Sequence, residues 1–323
     1  MRKYLCGFVL MLITFLFLLR MPVEAATLKL NKTKVAIQYG NTYQLKANQK
    51  VTWTSSNNKI VTVSSSGKIK GVGFGSAKII AKNKKGKTKT CNVIVQNYYI
   101  TKTNKKEYPN IITIYTNGKP KTYTVYNQKG YSDSWIKNRG CSASAVAIIT
   151  SAYGQKQTPK DIHYGTVDKQ YSERYALKKL KKNVAINNNK SLTFYFLNQI
   201  LNNSGVKSHA VYKYNKSKAI KEITANLKNG KPVIIICHNK KVNGNRLATY
   251  IHFLVLAGID SNGKAIVLDP NGGGVNKSPH TGAFSLTVSQ IVNRHMFSCT
   301  GNDYLQLYYK KTKNMGGYIL IDE

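Results

Sequence analysis

Residues 27–96 constrain the fold more than any other part of the chain. They hold seven short strand-forming stretches, 35–37, 43–45, 51–53, 60–63, 68–69, 77–81 and 88–95, separated by Gly, Asn and Ser turns. No helical period runs through this segment, and strands so short can bury a core only if two sheets face each other. The expectation is a small β-sandwich. Trp53 is the large side chain placed to fill its centre, and Gly75 supplies backbone freedom at the turn into the sixth strand.

The same segment carries 14 lysines and no Asp or Glu, in a chain with 50 Lys and Arg against 12 acids, a formal net charge of +38. These basic residues are mostly lysines spread along the whole length. Without a basic block, and without a basic-aromatic repeat to accompany the 22 Tyr, nucleic acid is not the expected partner. A diffuse positive field favours contact with anionic cell-wall polymers instead.

At the N-terminus, Arg2 and Lys3 precede an apolar run over residues 5–19 that Arg20 ends, and Val23-Glu24-Ala25 offers a cleavage site. The run is shorter than the roughly 20 residues a spanning helix needs, so residues 1–25 read as a cleaved signal peptide. No later stretch is long and apolar enough to span. A secreted or cell-surface protein, with no transmembrane segment after signal cleavage, is expected. Cys6 leaves with the signal, and Cys91, Cys141, Cys237 and Cys299 are too few and too scattered for a disulfide scaffold. One of them is then available as a working thiol. A Cys237–Cys299 bridge does not follow from the spacing.

The stretch Val51-Thr52-Trp53-Thr54-Ser55-Ser56-Asn57, followed by Ile60-Val61-Thr62-Val63, Gly67-Lys68-Ile69 and Gly71-Val72-Gly73-Phe74-Gly75-Ser76-Ala77-Lys78-Ile79, resembles the bacterial immunoglobulin-like group 2 module. The resemblance covers residues 27–96 and implies a surface spacer or adhesive unit.

Residues 97–107 are polar enough to read as a linker, and residues 108–323 as a second domain. There, 111–116 and 121–126 alternate around Asn117-Gly118 as a hairpin. Thr158-Pro159-Lys160-Asp161 opens a polar helix, and Ser191 caps another that carries Phe194, Leu197, Ile200 and Leu201. A strand at 206–212, a helix at 217–227 ended by Asn229-Gly230, and buried strands at 232–237, 249–258 and 265–269 come next, with a short helix near 286–293. Helices come first and antiparallel-capable strands later, which predicts α+β architecture.

Within this domain, Cys141 follows Gly140 and opens a run with Ala143, Val146, Ala147 and Thr150 at helical spacing, closed by Gly154. A sulfur at a helix start meets unpaired N–H groups and the positive end of the helix dipole, which favour its charged form. His252 opens an apolar strand, and Asp269-Pro270 ends the next one after the Ser261-Asn262-Gly263 turn. Hairpin pairing makes His252 and Asp269 neighbours. A thiol, an imidazole to take its proton and a carboxylate to orient the ring are the parts of a cysteine hydrolase.

Gly140-Cys141 with the small-residue helix ending Ala152-Tyr153-Gly154, the strand Asn229-Gly230-Lys231-Pro232-Val233-Ile234-Ile235, residues 252–260 and Leu268-Asp269-Pro270 together resemble the double-glycine leader peptidases, family thirty-nine of the cysteine peptidases, and their exported stand-alone relatives. The resemblance implies a papain-like fold in which Cys141 is the nucleophile, His252 the base and Asp269 its orienter. It also implies an upstream glutamine in the oxyanion hole. Gln128, 13 residues before Cys141, is the one chosen, though Asn138 is nearer and could donate too. Ser142 and Ala143 stand where that family often has Gly and Pro. No cofactor is expected, and Cys237-His238 or His295 with Cys299 lack the spacing of a closed metal site.

The expectation is therefore a multidomain protein: an all-β Ig-like sandwich, then an α+β papain-like cysteine peptidase domain acting on a peptide or protein. Two alternatives stand beside it, a catalytically inert surface adhesion protein and a cell-wall amidase or endopeptidase.

Overall fold

The computed structural model describes residues 27–108, 110–165, 194–212, 214–237, 241–242, 245–246, 252–271, 283–296 and 317–322. Residues 1–25, read above as a signal peptide, lie outside the described residues, as do Ser191, His238 and Cys299. All seven expected N-terminal strands form: β1 (Lys34–Gln38), β2 (Thr42–Gln44), β3 (Val51–Ser55), β4 (Val61–Val63), β5 (Lys68–Gly71), β6 (Gly75–Asn83) and β7 (Thr88–Gln96). They make two facing sheets, β1-β7-β6-β3 and β2-β5-β4, antiparallel except where β1 runs parallel to β7. Leu45, Val61, Ile69, Ile79, Cys91, Val93 and Val95 fill the space between. Trp53 is not the centre of that core. It is half-buried at its edge, with Gly67 packed against its ring.

The next strand, β8 (Tyr98–Lys102), lies within the stretch read as a linker and pairs with β9 (Asn110–Thr116), which pairs with β10 (Lys119–Val125). Alternation explains it: Tyr98 and Ile100 pack onto the core of the second domain while Tyr99 and Thr101 face outward. The sandwich is consequently joined closely to the second domain. Asn97 donates from its backbone N–H to Ser261 Oγ (3.1 Å) and from Nδ2 to the Ile259 carbonyl (2.7 Å), and Ser261 Oγ donates to the Val95 carbonyl (2.7 Å). Beside these bonds, the Tyr115 ring lies 5.3 Å from Phe74 and 6.1 Å from Tyr39, so both domains contribute to one aromatic cluster.

The second domain is built on six strands in the order β11-β18-β12-β15-β16-β17, every pair antiparallel: β11 (Ser208–Tyr212), β12 (Val233–Cys237), β15 (His252–Ile259), β16 (Ala265–Leu268), β17 (Ala283–Leu286) and β18 (Gly317–Ile321). Two short strands, β13 (Lys241–Val242) and β14 (Asn245–Arg246), pair separately. Its helices are α1 (Ser134–Arg139), α2 (Cys141–Ser151), α3 (Pro159–Tyr164), α4 (Phe194–Asn203), α5 (Lys216–Lys228) and α6 (Val288–Gln290). β12 is buried on both faces, so its residues alternate between two cores. Ile234 and Ile236, with Phe253, Val255 and Ala257 of β15, meet α2, α4 and β9–β10. Val233, Ile235 and Cys237, with Leu254 and Leu256, meet α5 and residues 288–296. Each fully buried Ile or Leu in this double layer contributes about 1.5–3 kcal/mol. The layers leave the start of α2 and the free end of the β15–β16 hairpin facing each other.

Candidate active site

The site begins with a break between two helices. Asp133 caps α1 by accepting from the Ile136 N–H (2.9 Å), and Gly140 closes it by donating its N–H to the Ile136 carbonyl (2.9 Å). Gly140 is also the residue before α2, and a Cβ there would sit 2.6 Å from the Ile136 oxygen and 2.9 Å from its Cα. Only glycine fits so close to backbone. The Gly140→Ala variant is accordingly expected to lose about 1–3 kcal/mol of stability by overpacking, and to react more slowly with thiol alkylators as Cys141 shifts. Urea unfolding and timed alkylation measure the two effects.

Cys141 is the first residue of α2, so its N–H has no intrahelical carbonyl to meet and is free to act as a donor. Ten of the eleven residues of α2 are buried. Its Ala and Ser side chains let sheet and hairpin approach from several sides, and Cys141 keeps 7% of its surface accessible, unlike Cys91 and Cys237 at 0%. Those two thiols are pushed up by desolvation, Cys237 additionally by the Asp269 charge, and are buried packing residues.

The opposite wall is the β15–β16 hairpin. Its turn is fixed by Asp260 Oδ1, which accepts from the N–H groups of Asn262 (2.8 Å) and Lys264 (2.9 Å). The register, Val255 opposite Leu268, carries Asp269 to the level of Leu254 and sets His252 one diagonal away on the same face. The two side chains meet: His252 Nε2 lies 2.6 Å from Asp269 Oδ1, both residues buried. The same oxygen accepts the Asn271 N–H at 2.7 Å. Sequence reading had not identified that donor, although a carboxylate accepting from the N–H two residues on is what Asp-Pro-Asn offers.

Burial alone would lower the His252 pKa, but the adjacent Asp269 charge and hydrogen bond, together with a hydrogen bond to Cys141, raise it to about 10. With Nε2 turned to Asp269, Nδ1 is the nitrogen left for the sulfur. Because the folded pKa lies above the ordinary 6.5, this group's contribution to stability is complete below about pH 6.5 and is lost as pH rises toward 10. Urea midpoints should therefore fall between pH 7 and pH 10, and fall less for Asp269→Asn over the same window.

Gln128 arrives from a turn pressed against the β8–β9 connection. Asn127 donates its N–H to the Glu107 carbonyl (2.6 Å), and a Cβ on Gly130 would lie 1.9 Å from the Lys106 oxygen. The Gln128 N–H donates to the carbonyl of Pro270 (2.7 Å), the residue after Asp269, so the turn is fastened to the histidine's partner strand. Its buried side chain donates one Nε2 hydrogen to the Lys137 carbonyl (3.3 Å), ahead of Cys141, and keeps the second. Asn138, by contrast, is exposed and donates to the Ser134 carbonyl (2.9 Å) within its own helix. Cys141, His252 and Asp269 thus converge, with Gln128 attached to both walls. Among the described residues, no group of three or more His, Cys, Asp or Glu is arranged to hold a metal ion.

No curated protein sequence matches the chain. Among solved structures, an intimin mutant from EHEC O157:H7 shares 22% identity over 24% of this chain and 51% of its own, with a TM-score of 0.21. Domains 1–6 of the surface layer protein SbsC share 14% identity over 81% of this chain and 25% of their own, with a TM-score of 0.18. The chain thus spans about half of one and a quarter of the other, and both scores are too low to bear on the fold. The bacterial Ig-like domain (group 2) profile matches residues 24–93, the sandwich. The profile of the peptidase C39-like family matches residues 120–292, more than half of the 323, and the chain belongs to that family.

Proposed function

We propose that this protein is an exported cysteine peptidase that hydrolyses peptide bonds through Cys141, His252 and Asp269, held near the cell surface by its basic Ig-like module in contact with anionic cell-wall polymers. The observation that carries the reading is the buried His252–Asp269 pair, 2.6 Å apart, whose imidazole also hydrogen-bonds Cys141 at the start of α2.

His252 Nδ1 takes the thiol proton, and the sulfur attacks the scissile carbonyl carbon. The oxyanion formed is met by the Cys141 N–H and the second Nε2 hydrogen of Gln128. As the C–N bond breaks, the imidazolium returns its proton to the leaving amine, and the acyl group stays on sulfur. Water, deprotonated by the same imidazole, then releases the acid and restores the thiol. Throughout, Asp269 holds the ring and balances its charge, as in other triads.

Hydrolysis of a mixed peptide library, read by mass spectrometry as new N-termini, should stop after treatment with iodoacetamide and continue in a metal chelator. Cleavage that survives alkylation, or no cleavage of any peptide, would overturn the reading.

A further inference from the structure

A cluster of uncompensated charge lies at the far end of the sandwich. Lys50, Lys84, Lys85, Lys87 and Lys89, with Asn83, line a cleft of about 600 Å³ between the start of β3, the β6–β7 turn and the N-terminal segment. No Asp or Glu occurs anywhere in residues 27–106, so no carboxylate of the module can neutralise them, and all five lysines are exposed. The walls are fixed by the asparagines between them. Asn83 Nδ2 donates to Gln49 Oε1 (2.9 Å), Asn83 Oδ1 accepts from the Lys85 and Lys87 N–H groups (both 3.0 Å), and Asn48 Nδ2 donates to the Thr27 carbonyl (2.9 Å). The cleft is thus built before any ligand arrives.

Its position and composition select the ligand. The join to the second domain is at Val95 and Asn97, so Lys89 lies about 20 Å away along β7. A polymer bound there leaves the peptidase domain unobstructed. No aromatic ring lines the cleft, so bases would find nothing to stack on. The module also contains no Arg, the residue suited to bidentate, planar recognition of carboxylates, whereas lysine ammoniums are point charges suited to spaced phosphates. We infer that this cleft binds a flexible phosphodiester polymer without bases, such as a polyol phosphate. The inference rests on the surface-retention part of the proposed function and not on the cysteine chemistry.

The test uses the full-length chain and immobilised poly(glycerol phosphate), titrated at several salt concentrations. The triple variant Lys84→Gln, Lys85→Gln, Lys87→Gln is compared with Lys34→Gln, Lys68→Gln, Lys78→Gln, which removes the same charge from exposed positions of the same sandwich. The cleft triple is expected to bind at least about tenfold more weakly, with a salt slope lower by about 2, while the control stays within about threefold. If circular dichroism shows the cleft triple unfolded, Lys50→Gln with Lys89→Gln takes its place. Equal weakening of both variants, no binding by the parent chain, or equally tight binding of oligo(dT) or polygalacturonate would overturn the inference. Peptide cleavage by the same parent preparation is read separately, so failure of polymer binding and failure of the peptidase reading are distinguishable.

Discussion

Cys141→Ala is expected to lower kcat for peptide hydrolysis by about 10⁴-fold or more, with little change in fold. Removing the nucleophile of a triad leaves only the acceleration from binding and oxyanion donors, so the loss approaches that of the whole triad. The fold should tolerate the change. Position 141 opens a helix already made of small buried residues, and alanine is the best helix former. Circular dichroism matching that of the parent, with hydrolysis gone, is the expected pair of results. Retained hydrolysis would place the chemistry elsewhere.

Asp269→Asn is expected to cost about 10⁴-fold in kcat with KM nearly unchanged. The amide keeps the shape of the carboxylate and can still accept the Asn271 N–H, but it brings no charge to the buried imidazole. His252 would lose the interactions that outweigh desolvation and raise its pKa to about 10. The pH profile is the discriminating readout. A purely structural role would lower activity evenly across pH, whereas loss of an orienting charge moves the limb governed by the imidazole. An unshifted profile with full activity would remove Asp269 from the mechanism.

Much of this site was legible in the chain because hairpins are local. The Ser261-Asn262-Gly263 turn starts the β15–β16 register, a shift between Leu256 and Gly258 completes it, and His252 is brought beside Asp269. Gly140 and the small residues after Cys141 likewise announced a helix start. The seven strands of the sandwich were legible for the same reason, since Gly, Asn and Ser punctuate each of them.

The features that escaped were non-local. β18 arrives from residues 317–321 to lie between β11 and β12, and nothing in its own pattern names those neighbours. β8 hides in polar sequence because only Tyr98 and Ile100 need to be apolar, and the core that receives them is made later in the chain. Trp53 reads as a core filler by size, yet the aliphatic side chains of the two sheets leave it only the edge. The placement of Cys237 opposite His252 depends on the β12–β15 pairing, which spacing does not reveal. Gln128 is tied to the site by its side-chain bond to the Lys137 carbonyl and its backbone bond to Pro270, and the second joins it to a residue far along the chain.

The most direct test of the nucleophile is to map a thiol-directed covalent probe by peptide mass spectrometry on the native protein, with Cys91 and Cys237 as buried internal controls. Fast modification of Cys141, sparing of Cys91 and Cys237, and a large loss of Cys141 labelling in His252→Ala are expected. Equal labelling of the parent chain and Cys141→Ala, or Cys141 labelling that ignores the loss of His252, would rule out Cys141 as the nucleophile activated by His252.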